Sequence, residues 1–281
     1  MNYAVAKDYY RQCASAMEYA YNVMKSHFDV DKSIDELMQI RGYIRGEEQE
    51  DLLTDMQICS CKITDVSELG SMADELGLLS KTKSGNIKDS YFLLNNRFII
   101  PIRDIIGNIV AFVGYYPDFK KYITTPSPFF SKECLFFNMD DAYRRSFAEY
   151  NGMVLLVEGM FDCLSLRSIG LPAIATMGSS VSRMKCEVLK VFKKVIYIPD
   201  NDKVGRRALN RFDKVNGWNV PRTSVGIKLK GSFPMVDSDG KEVIMHVKDT
   251  DNLVSWYDAD DIVEFFMDAS RSNSICLNLE V

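Results

Sequence analysis

Histidine is nearly missing from these 281 residues, with only His27 and His246, and the seven cysteines (13, 59, 61, 134, 163, 186, 276) form no CxxC pair. Cys59 and Cys61 flank a single serine with no second pair to complete a tetrahedral set, which argues against structural zinc. An odd cysteine count without framework spacing argues for free thiols in a reducing compartment rather than a disulfide scaffold. No run of 18 apolar residues exists, and the opening MNYAVAKDYYRQC lacks the apolar core of a secretory signal, so the expected setting is cytoplasmic. Internal repeats and low-complexity linkers are absent too. With 47% hydrophobic residues, the chain has enough apolar surface for one large core or two modest ones.

Cationic excess is also lacking: 34 Lys and Arg face 39 Asp and Glu, a net charge of −5, which does not suit a protein that grips nucleic acid over its whole surface. The charge is unevenly spread, however. Between 81 and 145 ten Lys or Arg stand against six acids, a local +4, while 237–268 has two Lys against ten acids, a local −8. An acidic pocket beside a basic ledge suits a site that binds cations at one wall and steers phosphates with the other, although ordinary surface charge accounts for such asymmetry as well.

Periodicity divides the chain. Tyr9, Cys13, Met17, Ala20, Val23 and Met24 recur at helical spacing and predict a helix over 8–26; shorter helices are predicted around 34–44 and, behind a Ser67 cap, over 67–79. Two apolar runs, Phe98 to Asp104 and Ile109 to Tyr115, flank Gly107-Asn108 and predict a hairpin. Beyond Gly152 strands and helices alternate: strands at 153–157, 173–176 and 195–198, helices at 160–169, 183–192 and 205–214. Such alternation implies an α/β fold with a parallel sheet flanked by helices. The expected organisation is a mixed α+β N-terminal subdomain over 1–150, the α/β domain over 151–256, and a short helical tail over 257–281.

Acids gather where the strands end. Glu158 and Asp162 bracket a glycine turn after the first strand, Asp200 and Asp202 follow the third, and Asp249 and Asp251 repeat that spacing after further predicted strands. Ligands of parallel sheets bind at the carboxyl ends of the strands, and gathered carboxylates call for hard divalent cations such as Mg²⁺ or Mn²⁺. Singly, each cluster has a plainer explanation, as helix caps or solvated Asp-rich turns.

Taken in order, these residues resemble the TOPRIM fold found in topoisomerases, DnaG-type primases and some nucleases, with its Glu-Gly strand end, a following acid, then a DxD strand end and downstream glycine. Arg97 to Asp104 (RFIIPIRD), Lys121 to Lys132 (KYITTPSPFFSK), Ala173 to Gly178, and Lys248 to Asp251 (KDTD) look like segments of bacterial DnaG-type primases, and the similarity covers roughly Tyr91 to Val254. The resemblance implies a DNA primase catalytic core. This is a nucleotidyltransferase acting as a DNA-directed RNA polymerase, which makes short RNA primers on a single-stranded DNA template from ribonucleoside triphosphates. It implies that Asp200, Asp202, Asp249 and Asp251 ligate two or more Mg²⁺ or Mn²⁺ ions, with Glu158 as an acid/base or metal-adjacent group supported by Asp162. Arg97, Arg103, Lys121 and Lys132 are implied to contact nucleotide or template. Tyr122, Phe129, Phe130, Phe136 and Phe137 are read as core in preference to base-stacking platforms.

Departures accompany the resemblance. The zinc-ribbon domain of DnaG-type primases and a helicase-binding domain have no counterpart in the sequence. A separate template-reading protein or a replicative helicase is therefore an expected partner, and a phage or mobile-element origin, or a core cut from a larger protein, is the expected source. Two other classes stay open: a TOPRIM-type nuclease or topoisomerase module using the same acids, and a non-catalytic primase-derived nucleic-acid-binding module.

Overall fold

Two apolar patterns of different period build two units. A computed structural model describes residues 3–28, 37, 58–80, 91–117, 121–126, 128, 131, 133–178, 181–213, 225–226, 232–236 and 241–271. The chain divides between Phe130 and Ser131.

In the first unit, helix α1 (Tyr3–Ser26) turns Cys13, Met17, Ala20, Tyr21 and Met24 inward, none more than 1% exposed. Below it lie β1 (Cys59–Ser60), β2 (Leu79–Ser80), β3 (Tyr91–Phe92), β4 (Phe98–Arg103), β5 (Ile109–Tyr116) and β6 (Lys121–Thr124). Strands β1, β4, β5 and β6 form an antiparallel sheet in the order β1-β4-β5-β6, while β2 pairs with β3. The Tyr21 ring stacks on Phe112 of β5 at 5.7 Å and joins helix to sheet. Pro101, which has no N–H to donate, lies beyond the two residues of β4 that β1 reaches.

The predicted hairpin is present. Its turn is held by Asp104, whose Oδ1 accepts from the backbone N–H of Ile106 (3.0 Å) and Asn108 (2.9 Å), while Gly107 takes φ +90°. The helix predicted over 67–79 is instead a 3₁₀ turn, Val66–Leu69, capped by Asp65 rather than Ser67. Gly70 and Gly77 adopt φ of +88° and +71°, which ends helical geometry despite the apolar spacing. The helix predicted around 34–44 falls outside the described residues, Leu37 excepted.

In the second unit, α2 (Met139–Glu149), β7 (Met153–Val157), α3 (Met160–Ser168), β8 (Ala173–Ala175), α4 (Arg183–Leu189), β9 (Lys194–Tyr197), α5 (Lys203–Asp213) and β10 (Val225–Gly226) alternate along the chain. The strands form a parallel sheet in the order β10-β9-β7-β8. Strands β7, β8 and β9 are buried throughout, hence their unbroken apolar runs. The chain passes from β7 outward to β8 and then returns to the far side of β7 as β9, so the strand order reverses between β7 and β9. Open parallel sheets bind ligands at such a reversal.

The division at Phe130 lies ahead of the expected one near 150. Helix α2 is the reason, because Met139 and Ala142 pack with Val154, Leu156 and Ile174 of the parallel sheet. Its buried Asp141 pairs with Arg167 of α3 (3.1 Å) and with Arg144 (2.7 Å). After β10 the chain forms an antiparallel hairpin, β11 (Ser232–Val236) and β12 (Glu242–His246), then α6 (Thr250–Trp256) and α7 (Ala259–Arg271). Asp249 and Asp251 thus follow an antiparallel strand, whereas the other acids follow parallel ones. Helix α7 buries Ile262 and Phe266, so the segment expected to be a tail contributes core as far as it is described. No described helix is long and apolar enough to cross a membrane.

Removing the Asp104 carboxylate leaves two turn N–H groups and the Tyr10 hydroxyl without their acceptor. Asp104→Ala is expected to lower stability by about 1–3 kcal/mol, read as a shift in urea midpoint at unchanged m-value. A shift within error would show that the turn holds without it.

Candidate active site

Glu158 ends β7 and Asp200 follows β9, on the two strands that flank the order reversal. Gly159 then caps α3, and a β-carbon there would lie 2.3 Å from Asp162 Oδ2, so a side chain would displace that carboxylate. Gly205, in the first turn of α5, has a sharper requirement, since a β-carbon would lie 2.0 Å from the Asp200 carbonyl oxygen. The helix start therefore packs directly on the backbone that presents Asp200.

Two helix N-termini meet the acids. Asp202 caps α5, its Oδ1 accepting from Val204 N (2.7 Å) and Gly205 N (2.8 Å). Asp249 caps α6, accepting from Asn252 N at 2.9 Å. Asp162 Oδ1 accepts from Asp251 N (3.2 Å) and the Thr250 hydroxyl (3.3 Å), so it also serves the start of α6. Asp251 accepts from the Ser165 hydroxyl on α3 and faces that helix. The sequence suggests capping for Glu158 and Asp162, and a solvated turn for Asp200 and Asp202; the caps are instead Asp202 and Asp249, each with one oxygen committed.

Glu158 and Asp200 cap no helix. The Glu158 carboxylate accepts from the Asp200 backbone N–H and stands 3.4 Å from the Tyr197 hydroxyl. Its pKa is pushed up to about 7, by burial first and then by the charges of Asp200 and Asp202. Asp162 is likewise pushed up to about 7, by burial, then by Asp249 and Asp200. Asp200 is raised by burial and by Asp249, against the lowering effect of Lys248. Each of the six acids enters at least one of these interactions, so all six lie in one electrostatic neighbourhood.

Two contacts here were not anticipated. Asn201, between the two acids of the DxD, donates its backbone N–H to Lys248 O (2.7 Å) and its amide to Val247 O (3.1 Å), tying the β9 end to the segment bearing Asp249. Thr176 at the end of β8 donates its N–H to Val157 O (3.0 Å), and its hydroxyl lies 3.3 Å from Glu158 O. The Thr176 carbonyl in turn accepts from the buried Lys185 ammonium. Asn201 was legible as the middle of the DND run, but nothing in the sequence marked Lys185.

Among the described residues no set of three or more His, Cys, Asp or Glu side chains is arranged to close on one metal ion. The donor set nevertheless fits Mg²⁺ or Mn²⁺. It is all oxygen, it gathers like charges that raise the pKa of Glu158, Asp162 and Asp200, and Mg²⁺ takes only one or two protein carboxylates, completing its shell with water and phosphate oxygens.

The four basic candidates belong to the first unit or lie outside the described residues. Arg97 stacks over Tyr116 at 5.4 Å. Arg103 donates to Gly107 O (2.8 Å) and approaches Glu18 at 3.8 Å, so its guanidinium braces the hairpin turn against α1. Lys121 is exposed on β6, and Lys132 is not among the described residues. Phe136 and Phe137 are fully buried, as expected for core, whereas Tyr122 is 48% exposed and stacked on Tyr115 at 4.9 Å; Phe129 and Phe130 are not described.

A parallel sheet with acids at its carboxyl edge, preceded in the chain by an antiparallel α+β unit, is the arrangement of a TOPRIM-type fold, and comparison with known proteins agrees. Residues 54–143 match the DNA primase catalytic core N-terminal domain, and residues 155–228 match a Toprim-like domain. The DNA primase of Thermotoga maritima is 38% identical over 117 residues, 40% of this chain and 20% of that protein; the DNA primase of Clostridium acetobutylicum is 28% identical over 184 residues, 61% and 29%. Among solved structures, the Aquifex aeolicus primase zinc-binding and RNA polymerase domains superpose with TM-score 0.65 at 19% identity, covering 92% of this chain and 60% of that one. A DnaG primase catalytic domain bound to single-stranded DNA gives 0.62 at 18%, covering 89% and 78%. The chain thus carries matches to two domains of DnaG-type primases, and it spans less than a third of the length of these two curated relatives.

Gly205→Ala is expected to displace the Asp200 backbone, lowering stability by about 1–3 kcal/mol through overpacking; unchanged stability would mean that α5 adjusts without moving Asp200. A second expectation concerns pH. Glu158 and Asp162 hold protons near neutrality in the folded chain, whereas unfolded carboxylates release theirs near pH 4. The folded state therefore binds more protons between about pH 4 and about pH 7, and these two groups make stability fall as pH rises through that window. In chelator, Glu158→Gln and Asp162→Asn should each flatten the decline of melting temperature from pH 5 to 8 relative to the parent. Parallel curves would remove the pair as its source.

Proposed function

We propose that the chain is the catalytic core of a DNA primase, joining ribonucleoside triphosphates into short RNA on a single-stranded DNA template with release of pyrophosphate. The observation that carries this is the placement of Glu158 and Asp200 just past the carboxyl ends of the two strands flanking the order reversal, with four more acids in the same electrostatic neighbourhood. Names of relatives support it, since the proteins most of the chain resembles are DNA primases and one related catalytic domain is held with single-stranded DNA.

Divalent cations, when bound, would supply Lewis-acid activation of the attacking 3′-hydroxyl and charge neutralisation at the leaving pyrophosphate. Glu158, Asp200, Asp202, Asp249 and Asp251 are the residues proposed to hold them, the two capping aspartates through the oxygen that the cap leaves over. Asp162, buried beside Thr250 and Asp251, sets the spacing between α3 and α6. Glu158 also has the pKa of a group able to accept or return a proton near neutral pH. Arg97, Arg103, Lys121 and Lys132 are proposed as contacts to nucleotide phosphates or template, and a helicase or separate template-reading protein as partner.

Labelled ribonucleotide incorporation on single-stranded DNA with Mg²⁺ or Mn²⁺ tests this. Asp200→Ala should reduce it by about a hundredfold or more, the scale of removing one well-placed electrostatic group. Cleavage of DNA in the same buffer without any synthesis would favour a nuclease, and binding with neither activity a non-catalytic module.

A further inference from the structure

Helix α5 begins at the cap formed by Asp202 and carries its charge on the other side of the ledger. Lys203, Arg206, Arg207 and Arg211 are all exposed, as is Asn210, while Gly205, Ala208 and Leu209 are buried. At 100° per residue the four cations fall within about 140° of the helix circumference and extend over about 12 Å. Among the described residues none of the four makes an ion pair or hydrogen bond through its side chain. The first turn contains no acid.

This arrangement is costly to the helix itself. Lys203 with Arg207, and Arg207 with Arg211, are like-charge pairs four residues apart, each destabilising by a few tenths of a kcal/mol. Cations in the first turns also oppose the helix dipole. A face kept for solvation alone has no need of such a run in a chain whose net charge is −5.

We propose that this face of α5 binds the phosphate backbone of a nucleic-acid duplex, in the form of the primer–template product beside the site. Charge complementarity selects a polyanion, and a stripe of about 12 Å matches three to four successive phosphates of one strand. The absence of any exposed aromatic ring on the described part of the stripe selects duplex over single strand, because non-specific single-strand binders add stacking platforms for unpaired bases. The identity of the duplex rests on the primase reading; the binding does not, and it is measured without turnover.

The test is fluorescence anisotropy of the full chain with a short labelled RNA–DNA hybrid, a DNA duplex and the matching single strand, titrated from about 50 to about 200 mM salt. The triple variant Arg206→Gln, Arg207→Gln, Arg211→Gln keeps good helix formers. It should bind both duplexes about tenfold more weakly at the lower salt, with the slope of log affinity against log salt reduced by roughly two to three, and single-strand affinity changed less than about twofold. Arg207→Gln alone, a milder change to the fold, should reduce the slope by about one. Replacing the same three arginines with lysine should retain duplex affinity. Unchanged duplex affinity and slope in both glutamine variants would overturn the proposal, and equal losses for duplex and single strand would overturn the choice of duplex.

Discussion

The second unit depends on one constraint: six carboxylates share the carboxyl edge of a short parallel sheet, and their repulsion must be offset before any ligand arrives. The fold does this largely with helix N-termini. Asp202 and Asp249 each spend one oxygen on backbone N–H groups at the start of α5 and α6, and Asp162 accepts from two donors at the start of α6. A helix start carries roughly half a positive elementary charge, so an acid placed there is favoured where it would otherwise repel its neighbours. Glu158 and Asp200 have no such cap; both are pushed toward the neutral form, as is Asp162 despite its two donors. Glu158 and Asp200 sit where the strand order reverses, with no helix start to hold their oxygens.

Holding uncapped acids close together requires a rigid frame, which comes from backbone hydrogen bonds rather than from the acids. Thr176 ties the end of β8 to the Val157 carbonyl beside Glu158, and Lys185 holds Thr176 in turn, its ammonium 5.2 Å from the Phe136 ring. Asn201 fastens the β9 end to the chain at 247–248. Gly205 lets the start of α5 approach the Asp200 backbone to a distance that a β-carbon would forbid.

Much of this was legible because burial on both faces writes itself into sequence as unbroken apolar runs. Met153 to Val157 could be read as a buried parallel strand, and Glu158 and Asp200 as the first acids after two such strands. Other features depended on partners distant in the chain. Asp249 and Asp251 look like a second DxD, yet a helix starts between them, so one caps α6 while the other turns to Ser165 on α3. The 67–79 segment has helical apolar spacing, but two glycines in left-handed conformations override it. The division before α2 was missed because Met139 and Ala142 have partners only in strands yet to come.

Helix α5 shows how opposite demands meet in one element. At its start stands the cap of an acidic site that repels phosphate, and along its flank run four unpaired cations that attract it. A polyanion approaching this unit therefore meets a field that changes sign over about 16 Å, the length of an eleven-residue helix. Its backbone gains contacts on the flank, but its reactive end is repelled unless divalent cations neutralise the acids. In the proposed function binding and reaction are thereby separated: the flank would take nucleic acid whether or not metal is present, and only a metal-loaded edge would admit the reacting phosphate. Because salt screens exposed cations within about 10 Å at 0.1 M while buried carboxylates are screened much less, the flank is the part of the unit that weakens first as ionic strength rises.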